Sequence, residues 1–354
     1  MVGNAAPGGR GGSGASARGG GRGGVGGRGG GGVGGGRGPS PEALLNGLIS
    51  RENDPERLLR LVGDELPNFD AVNVATSFII FGTLCDSRPF PRNIAADESF
   101  RGLMAQARAM CADGRLRAGE LANLTHAMAK MSAAGKLAAA DADVQDTLAA
   151  LEQRLVRVAF DMIPQHVSSS VYGLAVLGRT PGAAAWASLE AAVVRVGPGM
   201  DPQAAANIWW AFATLGLTPG AEARAALEAA VVRVGPRMND QDVGNLFWAY
   251  ATLELMPGAE ARAALEVAVV RVGPGMEPQH AANTAWSFAT LGLMPGAEAR
   301  AALEAAVVRV AAGMTPQETA NTLWSYSILR LMPGAETREA LEAAVVRVGP
   351  SMTP

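Results

Sequence analysis

Apolar positions in the C-terminal two thirds of this chain recur at helical spacing, and the pattern itself then recurs. The segment AEARAALEAAVVRV, residues 221–234, puts Leu227, Val231 and Val234 at i, i+4 and i+7, the apolar stripe of an amphipathic helix. Gly235-Pro236 follows, and the pair predicts a stop: glycine takes a left-handed cap and proline blocks continuation. A second helix is predicted to open at Asp201-Pro202, Glu277-Pro278 and Thr315-Pro316, where an acid or hydroxyl caps the free amides and proline occupies N1. Ile208, Phe212 and Leu215 give it an apolar face. Helices of about four turns are marginal alone, so their stability must come from packing on neighbours.

The period of the pattern decides the fold class. A Pro-Gly pair recurs at Pro181, Pro219, Pro257, Pro295 and Pro333, every interval being 38 residues. The frame extends back to Asp143, which gives five full units over residues 143–332 and a sixth, cut short, over 333–354. Upstream, LANLTHAMAKM from Leu121 aligns with AANIWWAFATL from Ala205, and VNVATSFIIFGTL from Val72 has a similar shape, so residues 39–142 are expected to hold two divergent units. Units of two helices that cannot bury their apolar faces alone predict an all-α chain, an α-solenoid of 38-residue helix-turn-helix repeats. The sequence stops at Thr353-Pro354, the cap and N1 positions of another second helix, which reads as a fragment of a longer array.

Composition separates the first 38 residues from this array. Of 45 glycines, 21 lie between Gly3 and Gly38, and this tail carries five arginines and no acid. Residues 39–180 carry a net charge of −3 and residues 181–354 one of −5, so the body is not built to hold nucleic acid by bulk charge. Four RGG triplets, at Arg10, Arg18, Arg22 and Arg28, resemble a disordered RGG box that contacts RNA with little sequence preference. An organelle transit peptide and low-complexity translation of GC-rich sequence remain as other readings of the tail.

Candidate chemistry is sparse. Cys85 and Cys111 are too few for a disulfide scaffold or a four-cysteine metal site and read as buried thiols. His126, His166 and His280 show no metal-ligand spacing and assemble no nucleophile-base arrangement, so neither metal, cofactor nor catalysis is expected. The longest apolar stretch, near Val74 to Cys85, is too short to span a bilayer.

Comparison of the units with one another singles out three sets of columns. Differences concentrate where the second helix begins: Asp201, Ala204 and Ile208, then Asn239, Asp242 and Leu246, then Glu277, His280 and Thr284, then Thr315, Glu318 and Thr322. The spacing of three, four and seven puts each triplet on one helical face. Ile208 and Leu246 look like core; the other ten positions are candidate base readers if the array binds RNA one nucleotide per unit, or sites of drift if it does not. Arg157, Arg195, Arg233, Arg271, Arg309 and Arg347 recur once per unit with no acid at i−3 or i−4, so free guanidinium groups could track phosphates, or could complement a helix dipole. Arg224, Arg262, Arg300 and Arg338 instead face Glu228, Glu266, Glu304 and Glu342 at i+4. Asn207, Asn245, Asn283 and Asn321, each followed three residues later by Trp210, Trp248, Trp286 and Trp324, are expected to hold the frame, the amides satisfying backbone and the rings packing between repeats.

The unit LEAAVVRV, then a capped PQ, then ANxxWAFATLGL resembles the octotricopeptide repeat family of green-algal organelle RNA factors, and QETANTLWSYSILR, Gln317 to Arg330, is similar to that family's second helix. The resemblance implies an α-solenoid that binds specific single-stranded organellar transcripts and governs their stability, splicing or translation. It also implies import into the chloroplast, less often the mitochondrion. Many members end in a RAP domain, which does not lie within these 354 residues. A protein-binding scaffold of tetratricopeptide type, with RNA contacted only by the tail, is the other function this sequence fits.

Overall fold

The computed structural model describes residues 40–86 and 90–351; the tail arginines Arg10, Arg18, Arg22 and Arg28 lie outside the described residues. Among those described there are sixteen α-helices and no strand. In chain order they are α1 (Pro41–Ile49), α2 (Pro55–Glu65), α3 (Ala71–Leu84), α4 (Glu98–Ala112), α5 (Ala118–Ala133), α6 (Ala142–Val158), α7 (Pro164–Val176) and α8 (Ala183–Val196). The regular block continues with α9 (Pro202–Leu215), α10 (Ala221–Val234), α11 (Asp240–Thr252), α12 (Ala259–Val272), α13 (Pro278–Thr290), α14 (Ala297–Val310), α15 (Pro316–Ile328) and α16 (Ala335–Val348).

Each helix packs on the helix two places further along, so the odd-numbered and the even-numbered helices form two separate layers of one α-solenoid. In the regular block, odd helices run against one another along most of their length, whereas even helices touch over a shorter stretch. A solenoid built this way curves toward its more closely spaced layer, so the odd helices form the inner face. Small residues permit the approach. A Cβ on Gly173 of α7 would sit 2.9 Å from the Thr125 carbonyl oxygen of α5, and one on Gly244 of α11 would sit 3.3 Å from the His280 Cα of α13. Ala205, Ala211, Ala281 and Ala282 are buried at the same interfaces.

The core is continuous from α1 to α16. The large side chains are concentrated on the odd helices: Trp209, Tyr250, Phe212, Phe247 and Phe288 are fully buried. Trp209 stacks on Tyr250 at 4.4 Å and Phe247 on Phe288 at 4.6 Å between centroids, so aromatic pairs join successive units. Both cysteines are free and buried, and burial pushes the Cys111 thiol up to about 11.

The glycines have a different role from the one their position in the sequence suggests. Gly235 is right-handed, with φ −42°, and the chain continues through it into a 3-10 turn, Gly235–Arg237. Glycine is favoured there by crowding, since a Cβ would lie 3.3 Å from the Ala264 Cβ of the next even helix. Left-handed turns are instead at the ends of the odd helices, where Gly178, Gly216 and Gly292 have φ of 63°, 65° and 61°. In the same column Glu254 and Arg330 adopt φ of 53° and 51°, a conformation that a side chain disfavours.

Candidate binding surface

The first polar columns to place are those at the second-helix starts, and most of them serve the fold. Asp201 accepts the Ala204 N–H at 2.7 Å as an N-cap. Asn239 with Asp242, and Thr315 with Glu318, form reciprocal capping boxes. Ala204, Asp242, Thr284 and Thr322 are buried between odd helices, which corrects the expectation that these columns form one exposed face. The Thr284 and Thr322 hydroxyls donate to the carbonyls of His280 and Glu318 at 2.7 and 2.8 Å. Burial raises the Asp242 carboxyl above its usual range despite the Asn239 amide it faces. His280 meets Asp240 of the preceding unit at 2.7 Å, and the exposed Glu277 donates its backbone N–H to the same carboxylate at 3.2 Å. Burial alone would raise Asp240, but the His280 contact outweighs it and holds the carboxyl low. The spacing rule holds along the helix; what it missed is that this face is turned toward the next odd helix.

The arginine ladder belongs to the even layer. Arg195 donates through Nη2 to the carbonyls of Ala159 and Met162 at 3.2 and 2.5 Å, and Arg233 to Gly197 and Met200 at 3.1 and 2.8 Å. Arg271 repeats this on Gly235 and Met238, Arg309 on Met276, and Arg347 on Ala311 and Met314. Each guanidinium thus holds carbonyls at the start or just past the end of the 3-10 turn that follows the even helix one unit back, so these five groups are not free, although their side chains remain exposed. Arg157 is exposed and makes no hydrogen bond to a described residue; Arg154 grips the preceding loop instead, through the Leu116 and Gly114 carbonyls at 2.7 Å each. That loop turns at Gly114, with φ 74°, rather than through a 3-10 turn, which moves the carbonyls to a different arginine.

A second set of even-layer polar residues is also committed, while Glu222, Glu260 and Glu298 are exposed and make no hydrogen bond to a described residue. Arg224, Arg262 and Arg300 pair with Glu228, Glu266 and Glu304 at 2.9, 2.7 and 2.9 Å and also donate to the carbonyls of Met256, Met294 and Met332. Glu190, Glu266 and Glu304 accept the N–H of Gly220, Gly296 and Gly334, so one acid ties each helix to the connection that starts the next unit. The Arg338–Glu342 pair expected from spacing does not form, and both residues are exposed.

The constant columns of the inner layer behave in the opposite way. On α9 the side chains left facing solvent are Gln203, Asn207 and Trp210, at spacings of four and three, and the Thr214 hydroxyl beyond them is buried. On α11 the stripe is Gln241 and Asn245, with Trp248 buried at 8% exposure and the Thr252 hydroxyl buried beside it, and on α13 it is Gln279, Asn283, Trp286 and Thr290. On α15 it is Gln317, Asn321 and Trp324, with Ile328 ending it. The four glutamines are exposed and the four asparagines half-buried, and none of the eight amides hydrogen-bonds to a described residue. The expectation that the asparagines satisfy backbone groups is therefore corrected: the ladder holds nothing in the frame. Trp210 and Trp248 do pack between units, as their spacing suggests: Trp210 lies 5.2 Å from Tyr172 and 6.5 Å from Trp248 between centroids, whereas Trp324 is 43% exposed.

Toward the N-terminus the stripe changes character. It runs through Gln165, Ser169 and Tyr172 on α7, then Asn123, His126 and Lys130 on α5. His126 lies 5.9 Å from Tyr172, and burial depresses its imidazole below the ordinary value. Lys130, 3.8 Å from Asp86, is the one lysine of the odd helices, which carry no arginine.

Among the described residues no group of histidine, cysteine and acids is placed to hold a metal ion, and no helix is long and apolar enough to cross a membrane. No family model and no curated protein sequence matches the chain. Solved structures with a likeness include a designed armadillo repeat protein at 12% identity and TM-score 0.22, covering 63% of this chain and 99% of that one. An engineered protein shows 10% identity and TM-score 0.24, with 86% and 93% covered, and a computationally designed self-assembling cyclic homo-oligomer shows 12% and 0.15, with 88% and 92% covered.

Proposed function

We propose that this helical-repeat scaffold binds single-stranded RNA along the inner face of the odd helices, through bases rather than phosphates, without chemistry of its own. The observation that carries the reading is the stripe of unengaged amides in four successive units, beside a tryptophan that is at least partly open to solvent in three of them, Trp210, Trp286 and Trp324. A side-chain amide offers a donor and an acceptor to a base edge, and an indole offers a stacking surface, which together are the groups that recognise unpaired bases. The resemblance of the repeat to octotricopeptide RNA factors supports the same reading. It extends it to an organellar transcript, in the chloroplast or alternatively the mitochondrion, whose stability, splicing or translation the protein governs. Phosphates would face solvent, with the tail arginines and Lys130 of the inner stripe as the available cations.

A second reading, a scaffold for a polypeptide partner, is favoured by one observation: the odd helices carry a single lysine and no arginine. The two readings separate in a selection from random RNA at physiological salt, with the full chain and with Trp324→Ala. RNA binding by the inner face predicts enrichment of a short motif, loss of that enrichment in the variant, and a shallow dependence on salt, since few counterions are released. Binding that is unselective, steeply salt-dependent and indifferent to Trp324 would leave RNA to the tail and give the inner face to a protein.

A further inference from the structure

Reading a mixed sequence requires that the side chains meeting successive nucleotides differ from unit to unit. In α9, α11, α13 and α15 they do not: glutamine, asparagine and tryptophan stand in the same three places four times over. The columns that do vary are directed elsewhere. Ala204, Asp242, Thr284 and Thr322 are buried, and Asp201, Asn239 and Thr315 are spent on capping their own helices. Four amide pairs of one composition, one per 38-residue step and three of them beside an open indole, favour the same base at each step.

We infer that the block from α9 to α15 selects a homopolymeric tract, a run of adenines, rather than a mixed sequence; the inference rests on the RNA reading above. Adenine follows from the chemistry of the amide. Its edge presents an acceptor at N7 beside a donor at N6, the pair that an asparagine or glutamine amide satisfies with its own donor and acceptor. A purine also covers more of an indole than a pyrimidine does. The preferences of separate units compound: roughly fivefold at each of four steps reaches about 600-fold, so even a weak selector becomes strict over a tract. The tract has an end. On α7 serine replaces asparagine and tyrosine replaces tryptophan, and on α5 the stripe holds His126 and Lys130, so flanking nucleotides meet different groups.

The test compares 12-nucleotide oligo-A, oligo-U, oligo-C and a randomised pool of the same length. Each is titrated by fluorescence anisotropy into the full chain and into the double variant Asn245→Ala, Asn283→Ala, with thermal unfolding followed alongside. The inference expects oligo-A to bind at least about tenfold tighter than the pool and the double variant to bring the two together at unchanged melting temperature. A pool that binds as tightly as oligo-A, with affinity still lost in the double variant, overturns the homopolymer inference and keeps RNA as the ligand of the inner face. Preference for oligo-U or oligo-C overturns the adenine assignment. If no RNA distinguishes the variant from the parent chain, the RNA reading fails, and the inference with it.

Discussion

The two helix layers repeat their polar residues with equal regularity but use them differently. In the outer, even layer from α10 to α14 the repeated arginines and the glutamates that follow them at i+4 have partners, the exposed Glu222, Glu260 and Glu298 of the first turns excepted: Arg233 caps the carbonyls of the previous unit, and Glu266 holds the Gly296 amide that opens the next. In the inner, odd layer the repeated glutamines and asparagines have none. Repetition of a residue is thus not by itself a sign of scaffolding. A repeated polar residue whose hydrogen bonds are accounted for belongs to the frame, and one whose bonds are unspent on a solvent-facing stripe is available to a ligand.

The strongest way to break this contrast is to remove the outer clamp. Arg233→Ala with Arg271→Ala strips four carbonyl bonds across two unit junctions and should cost about 1–2 kcal/mol at each, the effects adding because the sites share no partner. Thermal or urea unfolding reads the loss. A protein as stable as the parent would show that these arginines are idle in the frame and return them to the list of phosphate contacts.

Much of this architecture was legible in the chain. The 38-residue period, the apolar stripes and the Asp201 and Thr315 caps are all local, and local chemistry sets them; the cap expected of Glu277 does not form, since its side chain makes no bond to the helix start. What the sequence hid was direction between helices. Spacing put Ala204 and Thr284 on one face, yet a one-dimensional pattern does not say whether that face meets water or the next odd helix. Likewise the partners of Arg233 lie 33 and 36 residues back, beyond any i+4 rule, so a clamp looked like a free cation. The capping glycine was misplaced for a related reason: Gly235 is crowded by its neighbour Ala264, in a column that also admits Ala159 and Ala311, while the left-handed position is Gly216.

That left-handed column sharpens the argument by showing what a structurally required repeat costs when it is broken. Glu254 holds φ 53° where Gly216 and Gly292 stand in adjacent units. Glu254→Gly should therefore stabilise the chain by up to about 1 kcal/mol, seen as a higher melting temperature, by relieving the strain of a left-handed side chain. No gain would mean that the Glu254 side chain contributes as much as the strain removes.

A variable column should also answer to the fold when it is buried. Asp242 has its carboxyl pKa raised by burial, so the native state holds its proton more tightly than the unfolded chain does. The sign follows by linkage: both states are protonated well below pH 3.8 and the group costs nothing there, whereas above that the unfolded chain ionises first and the native state is progressively penalised. Asp242→Asn keeps an acceptor for the Asn239 amide and removes the charge. It should raise stability near neutral pH, by less than about 1 kcal/mol, and change nothing at pH 3. A loss of stability at neutral pH would show that the ionised carboxylate, not merely its oxygen, is what the cap requires.

The smallest expected effect on stability is the most informative. Asn245→Ala and Asn283→Ala remove amides that make no hydrogen bond to a described residue, from positions half open to solvent on helices whose propensity alanine improves. Unfolding free energy should move by no more than about 0.5 kcal/mol, and upward as readily as downward. A structural asparagine behaves otherwise: its removal orphans a buried partner and costs about 1–3 kcal/mol. If these substitutions destabilise the chain to that degree, the inner ladder is frame like the outer one, the contrast between the layers disappears, and any accompanying loss of RNA affinity reports unfolding. If stability holds while affinity falls, the same amides that the fold leaves unused are the ones that the ligand occupies.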